Sequence, residues 1–248
     1  MLRSLNEIKG YTLQATDGDI GGIKDVFFDD QSWTLRYFVA STHRWLPGRK
    51  VLISPASVGE PDWTAQVLPV SLTKEQIKES PPLKTEEPLS RQHEENLSVH
   101  FGWPAYWGPI GGGALGQPFS PSVPPQPLEQ TEDRPPEGDP HLRSVDEVDG
   151  YHIEGEDGEV GHVQDFIVNT EDWVLRYLVV DTRNWLPGRQ VLISPQWAES
   201  IDWYGESVHV ELTREAVRNS PEYNPDEPVS RDYEIRLYDY YGRPKYWE

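Results

Sequence analysis

Shifted by 140 residues, this chain falls on itself without a gap. Residues 2–108 align with 142–248, and 44 of the 107 aligned positions are identical. The identities run from Leu2-Arg3-Ser4 on Leu142-Arg143-Ser144 to Tyr106-Trp107 on Tyr246-Trp247. Two copies are too few for a solenoid, in which several stacked repeats share one core. The pattern is that of a duplicated domain with copies at 1–108 and 141–248. Between them, residues 109–140 ("PIGGGALGQPFSPSVPPQPLEQTEDRPPEGDP") are rich in Gly, Pro and acid. Such a segment has little to bury and reads as a linker. Its Gly-Gly-Gly run follows no strand and opens no lysine-bearing helix, so it is not a phosphate loop.

Each copy punctuates short apolar runs with turn signals. "YTLQATDGDIGGIKDVFFDD" predicts a hairpin, with Asp17-Gly18 as a type I′ turn that requires positive φ. "WTLRYFVAS" is apolar on both faces, as a central strand covered on both sides would be. Pro47-Gly48 predicts a turn into the strand "KVLIS", and a further strand lies near "QVLPVSL". Thr73 with Gln76 makes a capping box for a short helix that Ser80-Pro81 stops. In the second copy Thr213 keeps the cap while Ala216 replaces the glutamine. A second helix starts near Ser90 and Ser230 and leads to aromatic tails. Five or six short strands per copy, with turns every 8–12 residues, predict a mainly β fold: two small antiparallel barrels in tandem, each closed by short C-terminal helices.

Composition narrows the chemistry. There is no cysteine, which removes disulfides, thiolate metal sites and cysteine nucleophiles. The formal net charge is −20, which disfavours a phosphate backbone as partner, so no nucleic acid is expected. The charge is uneven: residues 1–108 carry 11 basic and 14 acidic side chains, whereas 141–248 carry 10 and 23. No apolar run approaches the roughly 20 residues of a membrane helix, and the N-terminus has no apolar leader, so a cytoplasmic protein is expected. The seven histidines (His43, His93, His100, His141, His152, His162 and His209) do not coincide across the repeat or show ligand spacing, so no metal site is expected. There is no G-x-S-x-G, H-E-x-x-H or P-loop. No cofactor and no catalytic residue are expected.

Two groups of residues stand out. Asp25 and Arg36, repeated as Asp165 and Arg176, sit in otherwise apolar strands. They are expected to form ion pairs between neighbouring strands, because a buried charge is rarely tolerated alone; replacing Arg36 would then orphan an acid. The second group is aromatic. "WLPGR" places Trp45 and Leu46, and again Trp185 and Leu186, at a hairpin tip that needs only its Pro-Gly to turn. They serve as core cover or as an exposed docking patch. Trp103, Trp107 and Trp247 in the aromatic tails are expected to pack on a barrel or to anchor a partner.

Taken together, "IKGYTLQATDGDIGGIKDVFFDDQSWTLRYFVAST", the following "WLPGRKVLISP" and the Asp62-Trp63 segment resemble the PRC-barrel domain family. The likeness covers roughly residues 2–80 and 142–220. That family takes its name from the cytoplasmic domain of the photosynthetic reaction-centre H subunit, and a related barrel ends a ribosome-maturation factor. The aromatic tails resemble those of bacterial proteins with two such barrels. The resemblance implies small, strongly bent antiparallel barrels that act as non-catalytic docking and assembly modules for a protein partner. The copies are expected to pack as an internal pseudo-dimer, with a homo-oligomer as the alternative. Alternatively, the H-subunit likeness implies an accessory subunit of a photosynthetic or other electron-transfer complex, peripheral to the membrane. A third reading is a binder of a small ligand or metal between the barrels.

Overall fold

A computed structural model of the chain describes residues 1–42, 45–84, 88–107, 139–183 and 189–248. The linker other than Asp139 and Pro140, and the second "WLPGR" up to Gly188 with its Trp185 and Leu186, lie outside the described residues. The first copy runs β1 (Leu2–Ser4), α1 (Leu5–Lys9), β2 (Thr12–Ala15), β3 (Gly18–Asp29), β4 (Thr34–Ala40), β5 (Arg49–Ile53), β6 (Val67–Pro69), α2 (Lys74–Glu79), β7 (Leu83–Lys84) and α3 (Arg91–Phe101). The second runs β8 (Leu142–Ser144), α4 (Val145–Val148), β9 (His152–Gly155), β10 (Gly158–Asn169), β11 (Val174–Asp181), β12 (Gln190–Ile193), β13 (Ala198–Asp202), β14 (Ser207–Val210), α5 (Arg214–Asn219) and α6 (Arg231–Tyr241).

The protein is mainly β; α2 and α3 follow β6 and α5 and α6 follow β14, as expected, but α1 and α4, which were not expected, open each copy directly after its first strand. The strands join one mixed sheet that does not close, along the path β13-β14-β9-β10-β11-β4-β3-β2-β6. Most neighbours are antiparallel, while β6 and β14 return parallel to β2 and β9. The twelve-residue β3 makes a sharp bend possible. Its first half pairs with β2 and its second half with β4, with register shifts at Lys24 and after Phe27. Such bulges bend a strand and raise its twist. Gly21 sits at the bend with φ +149°, and a Cβ there would overlap the Ser41 carbonyl.

The local signals act through side chains. Thr73 accepts from the Gln76 amide (3.2 Å) and the Gln76 side chain accepts from the Thr73 amide (2.8 Å), completing the box. Thr213 caps α5 alone. The first hairpin forms, but its turn is Thr16-Asp17, and the positive φ falls on Gly18 just after it. Asp17 is instead recruited by the Lys74 amide (2.8 Å), which ties the turn to α2; Asp157 does the same with the Arg214 amide (2.7 Å). Trp33, read as a strand residue, lies in the β3–β4 turn with φ +56°.

The copies are joined by reciprocal pairing. β1 pairs with β10 of the second copy, and β8 pairs with β3 of the first. Between them β4 meets β11 at Thr34–Val174. There the Trp33 carbonyl accepts from the Leu175 amide and the Trp173 carbonyl from the Leu35 amide, both at 2.8 Å. The positive φ of Trp33 and Trp173 accompanies these bonds, in a region that costs an L residue on the order of 1 kcal/mol. Phe28 stacks on Trp33 and tilts against Phe166 of the other copy. One hydrophobic core therefore runs through both copies.

Candidate functional site

The seam explains Asp25 and Asp165. Ser4 caps α1, accepting from the Glu7 amide (3.2 Å), and donates its hydroxyl to Asp165 on β10. The Asn6 amide also donates to Asp165 (3.0 Å). The mirror arrangement joins Ser144 to Asp25 (2.7 Å), with the Asp146 amide at 3.3 Å. Each half-buried carboxylate thus receives the first turn of the other copy's opening helix, where amides and dipole favour an anion. Burial pushes both carboxyls above the ordinary range, opposed by the hydrogen bonds from Ser144 and Ser4.

The expected Asp25–Arg36 and Asp165–Arg176 pairs are not what these residues make. Asp25 stands opposite Val39, whereas Arg36 is the extra residue of a bulge between the Phe27–Tyr37 and Phe28–Leu35 pairs. The bulge re-aims it. Its guanidinium donates to Ser32 Oγ (3.1 Å), lies 3.9 Å from Asp29 and covers the Tyr106 ring at 3.7 Å. Arg176 pairs with Asp172 and covers Tyr246 at 4.2 Å.

Those rings lead to a cluster that the sequence reading missed. Glu94, in the first turn of α3, is fully buried. Its Oε2 accepts from the hydroxyls of Tyr37 (3.1 Å) and Tyr106 (2.6 Å). In the second copy Glu234 accepts from Tyr177 (2.7 Å) and Tyr246 (2.8 Å). Each carboxylate therefore clamps its own copy's tail to its own central strand. The guanidinium differs between them. Arg231 lies 2.9 Å from Glu234, but Arg91 is shared between Glu94 (3.5 Å) and Asp139, the buried end of the linker. Burial, with the Asp139 carboxyl alongside, pushes Glu94 up to about 7. The same burial raises the Tyr37 and Tyr106 hydroxyls well above their ordinary value. The signal was present: Ser-Arg-x-x-Glu and both tyrosines recur at the same positions of both copies.

The aromatic candidates turn inward. The Trp45 indole donates to the Ile20 carbonyl (2.8 Å), and the Lys74 ammonium lies 4.7 Å from its ring. Leu46, half-buried, packs on the core. The tip is therefore cover rather than an exposed patch in the first copy. Arg49 completes it, donating to the carbonyls of Lys78 (2.8 Å) and Ser80 (2.7 Å) at the end of α2; Arg189 holds Arg218 and Ser220 likewise. Trp103 is buried and donates to Ser57 Oγ (2.6 Å). Trp107 lies under the Arg91 guanidinium (4.7 Å), and Trp247 lies under that of Arg231 (4.1 Å) against Tyr238.

The large apolar side chains that remain exposed are few among the described residues, and the second copy is strongly acidic. Tyr204 is fully exposed in the β13–β14 turn, and Val99 and Tyr240 are exposed on α3 and α6. Among the described residues no helix is long and apolar enough to cross a membrane. No protein-family model matches the chain, and a search of curated proteins returned no match.

Proposed function

We propose that this chain is a non-catalytic protein-binding module built from two PRC-type barrels that act as one scaffold. The barrel reading draws on the bent β3, the antiparallel run β2-β3-β4-β5 and the parallel return of β6. The observation that carries the binding reading is the reciprocal seam. Each copy lends its first strand and helix to the other, so Ser4, Asp25, Ser144 and Asp165, kept in both copies, are engaged in holding the copies together. The charged surface is where the copies differ, the second being far more acidic. A kept frame with one acidic face suits recognition of a basic protein surface, since complementary charge steers and selects partners. Affinity capture from the native host at moderate salt, from soluble and membrane fractions, tests this. A near-stoichiometric protein cross-linking to residues 141–248 is the expected result. A chain that returns alone from both fractions overturns the reading.

A further inference from the structure

We infer that the outer edge of β13 is the docking site, and that it takes an extended, basic segment of another protein as an added strand. The inference rests on the protein-binding reading above and names its surface. β13 ends the sheet path, and among the described residues its ladder partner is β14 alone. The first copy shows what a closed edge looks like at the same place. Its residues 58–62 form only two isolated bridges, Val58–Val70 and Asp62–Val67, and Pro61 interrupts them. The second copy has Ile201 where the first has Pro61, and Glu199 where the first has Gly59. A strand paired from Ser200 to Asp202, with a bulge at Glu199, replaces the broken one.

The register says which backbone groups are open. Asp62 and Val67 exchange both of their hydrogen bonds, at 2.9 and 3.1 Å. The equivalent pair in the second copy is Asp202–Ser207, followed by Ile201–Val208 and Ser200–His209. Antiparallel pairs alternate between bonded and non-bonded, so Ile201 turns its N–H and C=O away from β14. Proline at that position removes the outward N–H, which is how edges are commonly closed. The second copy leaves it open.

Charge selects the occupant. Glu199 and Asp202 on β13 and Glu206 in the turn are exposed, on a copy with 23 acidic residues against 10 basic. Two such edges repel, so a second copy of this chain is disfavoured. An incoming strand with Lys or Arg at alternate positions gains ladder bonds and complementary charge together. The exposed Tyr204 ring stands beside the end of that strand to receive an apolar side chain.

The test uses the full chain and a labelled ten-residue peptide alternating lysine with valine. Saturable one-to-one binding is expected by fluorescence anisotropy, with slowed amide exchange across residues 198–202. Ile201→Pro, which copies the first repeat, should fold and weaken binding at least tenfold. Glu199→Lys with Glu206→Lys, which spares the backbone, should also weaken it, and a glutamate–valine peptide should not bind. No saturable binding, equal binding by Ile201→Pro, or self-association through β13 would each overturn the inference. A host partner that Ile201→Pro still captures removes the edge site and leaves the binding reading standing; failure to capture any partner removes the reading itself.

Discussion

Among the described carboxyls, Glu94 is carried furthest from its ordinary chemistry. Its carboxyl moves from 4.5 to about 7, first because of burial. Between those values the folded chain holds a proton that the unfolded chain has released. Stability from this group is therefore greatest at low pH, is lost as pH rises from about 4.5 to 7, and is flat above. At one pH unit per 1.36 kcal/mol the swing is on the order of 3 kcal/mol. Glu94→Gln keeps an acceptor for both tyrosine hydroxyls and removes the titration. Thermal melts between pH 5 and 8 should show a shallower fall in Tm for the variant than for the wild type. Identical slopes would mean that Glu94 stays ionised in the fold. This carboxylate is not legible in the sequence because it sits among the polar residues of "RQHEENL", where nothing marks one acid as the buried one. Asp25 stands out in the sequence, but its partner there is not Arg36. An aspartate in an apolar strand announces that something must satisfy it; beside the neighbouring Val26 amide, the other copy's Ser144 hydroxyl and Asp146 amide do so.

Elements were more legible than their contacts. Caps and stops are short-range, so the box at Thr73, the cap at Thr213 and the helices after Ser90 and Ser230 form where the letters place them. Turn type was less legible. Asp-Gly marked the hairpin, but docking of Asp17 onto α2 moved the turn one residue back. β13 was not foreseen, since it differs from the first copy at the positions where proline and glycine break the strand. The bend of β3 depends on close approach at Gly21, and this gives a prediction for the element. Gly21→Ala would set a methyl group against the Ser41 carbonyl at a φ that L residues avoid. It should cost more than about 3 kcal/mol in urea unfolding, among the larger single-residue effects. Neighbouring Gly22 has open space, and the second copy carries His162 there, so Gly22→Ala should be nearly neutral. Equal tolerance at both positions would contradict the bent register.

At the scale of the molecule, the duplication and the packing of one copy on the other are legible in the sequence, but the exchange of first strands is not. Two copies separated by a long linker suggest two bodies side by side. The strands show each copy completed by the other, through β1 on β10, β8 on β3 and the Trp33–Trp173 crossing. No periodicity within one copy could reveal this, because β1 and β8 look the same whether they pair at home or across. The account predicts one cooperative unit, and a cut at one seam should be felt on both sides of it. The most direct measurement is native-state hydrogen exchange, read by mass spectrometry, on the wild type and Asp165→Ala. Asp165 lies on β10, and its partners Ser4 and Asn6 are about 160 positions earlier in the chain. The expected result is loss of protection across residues 2–9 as well as β10, with both copies opening at one shared denaturant midpoint. Protection lost around β10 alone, or two copies opening at separate midpoints, would contradict a single interlocked scaffold.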